Sequence, residues 1–140
     1  MLDDIAGGAA GALTNGGVVG GVRRRRAEWF VLQEKAELAA RVLRGTHDGL
    51  RTGWLSGLAT LSPGRMELVS YVGGVRLLRR KPVAIDIVGT DARARRPGGK
   101  ELFTIAPGCE IVTVTTPAGT LEVAVPQPYR ASWVLGRLAH

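Results

Sequence analysis

From residue 52 onward, apolar and polar residues alternate in short runs, and each run is stopped by a glycine- or proline-bearing turn. A period of two is the signature of a half-buried strand. The turns are too short to hold a crossover helix, so the strands should be mostly antiparallel neighbours. Residues 52–61 form a first candidate, ended by Ser62-Pro63-Gly64, and residues 65–72 a second. Gly73-Gly74 then separates Tyr71-Val72 from Val75-Arg76, a strong hairpin signal that opens a third strand over 75–80. Pro82 starts a fourth, in which Val83, Ile85 and Ile87 alternate with Ala84 and Asp86. A basic loop over 91–100 contains Pro97-Gly98-Gly99. A fifth strand over 101–105 is stopped by Pro107-Gly108. Strands over 111–115 and 120–125 follow, joined by Pro117-Ala118-Gly119.

Helical spacing brackets this region. In residues 27–44, Trp29, Leu32, Ala36, Ala39 and Leu43 share one face, and Glu37 and Arg41 stand four apart as a favourable pair. Arg41 and Arg44 suit a helix C-terminus, and Gly45 can end the helix in the left-handed region. Residues 46–52 read as a polar turn. At the other end, Ala131, Val134, Leu135 and Leu138 make an apolar stripe beside Trp133, with Pro128 placed for the first turn. The expected fold is mainly β with flanking helices (α+β). It is an antiparallel barrel of about seven strands closed by a C-terminal helix and preceded by an N-terminal one. The chain divides into a Gly/Ala-rich tail with an arginine cluster over 1–26, a helix over 27–45, and a β domain over 50–140. No repeat is visible.

The first 22 residues are low in complexity. Residues 5–22 carry no charge, and Arg23, Arg24, Arg25 and Arg26 follow directly. One reading is a flexible tail. Another is a short membrane segment, which the arginines would orient with the body on the cytoplasmic side. A third is weak attachment to a membrane surface. Seven glycines, Asn15, and only five strongly apolar residues (Ile5, Leu13, Val18, Val19 and Val22) weigh against a full span. The start does not read as a secretory signal, because Asp3 and Asp4 lead and the arginines come after.

Catalytic chemistry needs a nucleophile, a base, a metal or a cofactor cradle. Histidine occurs at His47 and His140 only, and Cys109 is the one cysteine. That excludes an intramolecular disulfide and any cluster with metal-ligand spacing, and it fits a reducing compartment. There is no nucleophile elbow and no P-loop. Asp86 and Asp91 are the nearest carboxylates to a pair in the β region, and Asp86 falls on the face opposite Ile85 and Ile87. Cys109 reads as a structural thiol, and His47 beside Asp48 as a turn. The expectation is a protein that is not an enzyme, with no cofactor and no metal.

What remains is positive charge. The formal net charge is +7, nearly all of it from arginine. Such a balance favours anionic partners. Arg76, Arg79, Arg80, Lys81, Arg93, Arg95, Arg96 and Lys100 stand against only Asp86 and Asp91 between residues 75 and 100. The bland reading is a solvated surface that protects strand edges. The functional reading is an anion or lipid-headgroup site made of Arg23, Arg24, Arg25, Arg26, Arg76, Arg79, Arg80, Lys81, Arg93, Arg95 and Arg96. Nucleic acid would require the two clusters to track one backbone. With few aromatics, a base-stacking platform is hard to build. A structural homo-oligomer, joined through the 27–44 helix, is a further alternative.

Several motifs occur in a telling order. They are Gly53-Trp54 with Gly57-Leu58-Ala59, Gly64-Arg65-Met66-Glu67, Leu78-Arg79-Arg80, residues 91–96, Pro107-Gly108 before a Val/Ile strand, and Trp133-Val134-Leu135 in the last helix. On these, residues 50–138 resemble an uncharacterised actinobacterial family of short membrane-anchored proteins with a pleckstrin-homology-like domain. The arginine-rich, Gly/Ala/Val-rich composition is in keeping with a high-GC bacterium. The resemblance implies a pleckstrin-like barrel and a station in the cytoplasm at the inner face of the plasma membrane. It implies an anionic membrane surface or a protein as partner, and it supplies no reaction. The family carries an N-terminal membrane helix, whereas here the matching segment is glycine-rich and the 27–44 helix intervenes.

Overall fold

The structure is a computed structural model that describes residues 17–72, 75–79 and 81–139. It opens with α1 (Gly17–Leu32) and closes with α2 (Ala131–Leu138). Among the described residues, eight strands run between them: β1 (Lys35–Gly45), β2 (Leu55–Ser62), β3 (Arg65–Val72), β4 (Val75–Arg79), β5 (Val83–Asp86), β6 (Gly89–Arg95), β7 (Glu110–Thr116) and β8 (Gly119–Val125). A short 3-10 turn occupies Gly99–Phe103.

The expected helix over 27–45 is corrected on both sides. It starts earlier, so Arg23, Arg24, Arg25 and Arg26 lie within α1 and not in a tail. It also stops at Leu32. The N–H groups of Gln33 and Glu34 return to the carbonyls of Phe30 and Val31 at 2.9 Å, and Glu34 takes a left-handed φ of 60°. The chain then becomes β1. Ala36, Leu38, Ala40 and Val42 enter the main core, while Glu37, Ala39 and Arg41 face the other way. The same run of Ala, Leu, Glu and Arg satisfies a period of two as well as 3.6, and pairing with two neighbouring strands decides the matter. The expected Glu37–Arg41 helix pair dissolves with it, since strand geometry sets residues four apart at roughly 13 Å.

All the strand pairings are antiparallel. β1 is central, with β2 on one edge and β8 on the other, in the order β4-β3-β2-β1-β8-β7-β6. β5 also pairs with β3, setting Ile85 opposite Met66. The expected closure of a barrel is not made: among the described residues no ladder joins β4 or β5 to β6. Between β5 and β6, the Ile87 N–H bonds Gly64 O and the Val88 N–H bonds Thr115 O, each at 2.8 Å. Two residues thus carry the chain from the β3 edge to β7. The Gly73-Gly74 hairpin lies outside the described residues, but Val72 pairs with Val75 as such a hairpin requires.

Two further expectations change. Residues 101–105 are not a strand. The Thr104 and Ile105 N–H groups turn back to Glu101 O, and of this stretch only Ile105 is buried. The basic loop over 91–100 is in its first half a strand, β6, because Thr90 and Asp91 pair with Val114 and Thr113. Pro128 precedes the last helix, whose cap is Arg130.

The core lies on the inner face of the sheet. Leu61, Met66, Leu68, Ile85, Val112, Val114, Leu121, Val123 and Val125 are fully buried there, at about 1.5–3 kcal/mol for each large side chain. α2 packs Val134, Leu135 and Leu138 into the same core, against β2 on one half of the sheet and β6, β7 and β8 on the other. A smaller cluster sits on the outer face, where Ile105 and Cys109 cover Ala39, Ile111 and Ala124 and Trp54 packs alongside.

Candidate functional site

α1 is fastened to the body along one side. Ala27 is buried in the main core, and Phe30 and Val31 pack against it. Arg26 turns inward, its Nε donating to Glu37 Oε1 at 2.9 Å. The Tyr71 hydroxyl donates to Glu37 Oε2 at 3.2 Å, and that of Tyr129 makes a longer contact of 3.4 Å to Oε1. Arg137 of α2 pairs with Glu34 just past the end of α1. Burial, and after it the negative charge of Glu37, pushes the Tyr129 phenol above the ordinary tyrosine range.

The opposite side of α1 faces solvent. Arg25, Glu28, Trp29 and Leu32 stand at i, i+3, i+4 and i+7, one face of a helix. Trp29 is 63% exposed and Leu32 81%. Arg24 and Arg25 are exposed as well. The Trp29-Phe30 pair is therefore split, with Phe30 going to the core and Trp29 standing out beside arginines. Among the described residues, no helix is long and apolar enough to cross a membrane.

The other sequence-derived basic residues divide by what they touch. Arg95 is committed within the fold. It donates to both oxygens of Glu101 at 2.7 Å and to both of Glu122 at 3.1 Å. Arg41 adds two bonds to Glu122, at 2.6 and 2.9 Å, and lies 4.8 Å from the centroid of the Trp54 ring. Burial works against the Glu122 charge, but the hydrogen bonds from Arg95 and Arg41 outweigh it and hold its carboxyl below the usual range. Arg95 holds that of Glu101 down to about 2. Arg96 donates to the carbonyls of Gly108 and Cys109. Arg93 is exposed and bound to Asp91, whose carboxyl it keeps low. Arg76 and Arg79 lie on β4, at the far end of the strand path from β6, and Arg80 falls outside the described residues. Lys81 is exposed at an open groove. The long list thus resolves into arginines engaged by the fold's own carboxylates and carbonyls (Arg26, Arg93, Arg95 and Arg96) and exposed cations on α1 and, at Lys81, beside the groove.

Residues weighed for catalysis are occupied in other ways. The His47 ring contacts the Asp48 carbonyl at 2.9 Å. Asp86 shares that groove with His47 and forms a long, exposed ion pair with Arg65 at 3.8 Å. Cys109 is buried, and burial pushes its thiol up, so it stays protonated. It borders a cavity of about 230 Å³ whose polar end is the Glu37, Arg26, Tyr71 and Tyr129 cluster. No group of three or more His, Cys, Asp or Glu among the described residues is arranged to hold a metal ion.

Sequence reasoning passed over Glu122 and paired Glu37 with the wrong arginine, although these two carboxylates hold Arg26, Arg41 and Arg95. Their partners are up to 92 residues away in sequence, so no local spacing could announce them. No family model, curated protein or solved structure matches the chain.

Proposed function

We propose that the chain is a non-enzymatic, pleckstrin-homology-like module that attaches to the anionic cytoplasmic face of a membrane through the outer face of α1 and presents its sheet to a partner. The observation that carries this reading is the exposure of Trp29 and Leu32 on the helix that bears Arg24 and Arg25. Large apolar side chains next to arginines match the membrane interface, where the ring enters the headgroup region and the cations meet lipid phosphate. Each basic residue near such a surface contributes on the order of 1 kcal/mol. The charges at Arg26 and Glu28 in the middle of this stretch favour a helix lying on the surface over one crossing it. The pleckstrin-like assignment is supported by the run of sequential hairpins and by a C-terminal helix packed across both halves of the sheet. The Arg26–Glu37 and Arg137–Glu34 pairs give the docked helix a fixed relation to the body.

Flotation of the full chain with phosphatidylglycerol and with phosphatidylcholine vesicles tests this, at low and high salt. Recovery is expected with the anionic vesicles only, to fall as salt rises, and to drop in both Arg24→Gln/Arg25→Gln and Trp29→Ser. Recovery indifferent to both variants would refute the reading. Salt-sensitive binding to nucleic acid with none to vesicles would replace it.

A further inference from the structure

A groove of roughly 690 Å³ runs between α1 and the segment leading into α2. Its floor is apolar: Ala27 and Tyr129 are buried, and Val31 and Trp133 half-buried. Its rim carries two exposed arginines, Arg24 from α1 and Arg130 from the cap of α2. Glu28 is the one carboxylate among the described lining residues, so the rim stays net positive. Leu32, on the solvent face of α1, also lines the groove, which makes it continuous with the surface proposed to meet the membrane.

We infer that this groove seats one anionic phospholipid of the bilayer, with Arg24 and Arg130 on its phosphate and Val31, Leu32 and Trp133 against its upper acyl carbons. The inference rests on the surface attachment proposed for α1 and adds a discrete lipid site to it. Charge complementarity selects the occupant. Two cations above an apolar floor match an amphiphile with a phosphate head, whereas free phosphate would leave the floor idle. The tyrosine at the bottom offers only its ring, since its hydroxyl is turned to Glu37.

The test uses the full chain and a short-chain phosphatidylglycerol kept below its micelle concentration, read by NMR at the Trp133 indole N–H and the Val31 methyls. Short-chain phosphatidylcholine and glycerol phosphate serve as comparison ligands. Saturable shifts at both residues are expected with phosphatidylglycerol, weaker ones with phosphatidylcholine, and negligible ones with glycerol phosphate. Arg24→Gln/Arg130→Gln should lower affinity by at least about fivefold. Arg44→Gln/Lys100→Gln removes the same charge from exposed positions elsewhere and should change it by less than about twofold. Equal shifts from phosphatidylcholine would overturn the inference, as would full shifts from glycerol phosphate or equal losses in the two variants. If the chain floats on anionic vesicles while the soluble lipid leaves Trp133 and Val31 unmoved, the groove site falls and the attachment of α1 stands. If neither occurs, both fall together.

Discussion

Glu122 is 6% exposed and carries hydrogen bonds from Arg41 and Arg95, and Arg95 is bonded in turn to Glu101. The carboxylates of Glu101 and Glu122 are both held below their ordinary range, the former at about 2 against 4.5. The sign follows from proton uptake. Below about pH 4.5 the unfolded chain binds protons that the folded chain still refuses, so stability falls as pH falls and continues to fall until about pH 2. Urea unfolding across that window should show the midpoint dropping with acidification. In Arg95→Gln the drop should be shallower, because both carboxyls move back toward their ordinary values. An equal slope in the variant would mean that Arg95 does not hold them. Arg95 is partly exposed, so the effect at neutral pH should be modest.

The strands impose close approaches that only particular residues tolerate. At Gly57 in β2, a Cβ would stand 2.3 Å from Val69 O and 2.7 Å from Ser70 Cα, both backbone atoms of β3. Backbone there has no room to yield without breaking the β2–β3 ladder, so Gly57→Ala should cost about 2–4 kcal/mol in urea unfolding. A near-neutral Gly57→Ala would show that β2 and β3 do not approach this closely. The elements that were legible in the sequence are those with strong punctuation. β3 has the bounds its flanking turns imply, and β7, β8 and α2 lie within a few residues of expectation. β1 was illegible because its residues are good helix formers whose periodicity serves either structure, and only the partners β2 and β8 select the strand. Gly45 shows how the two readings overlap. Its left-handed φ of 78° is as expected, but it ends a strand against Ala118 and not a helix. The stretch after β6 was misread because Glu101 folds back onto Arg95, a contact with no local signature. Of the candidate site, the arginine cluster was legible as charge. Which arginines face outward was not, since Glu37 and Glu122 decide that from distant strands.

The net charge of +7 is spread over the molecule, but its parts are not equivalent. Arg26, Arg41, Arg95 and Arg96 brace the outer side of the sheet. Arg24 and Arg25 stand out with Trp29 and Leu32 on a helix fixed to the body at Glu37. In the proposed attachment α1 turns toward the membrane, while Trp54 sits half-buried under the Arg41 guanidinium on the outer face of the sheet. The most direct test is tryptophan quenching by brominated lipids in anionic vesicles. Two variants are compared, one keeping Trp29 alone (Trp54→Phe/Trp133→Phe) and one keeping Trp54 alone (Trp29→Phe/Trp133→Phe). Strong quenching of Trp29 with little of Trp54 is the predicted result. No quenching of Trp29, or quenching of Trp54 that equals or exceeds it, would contradict the account.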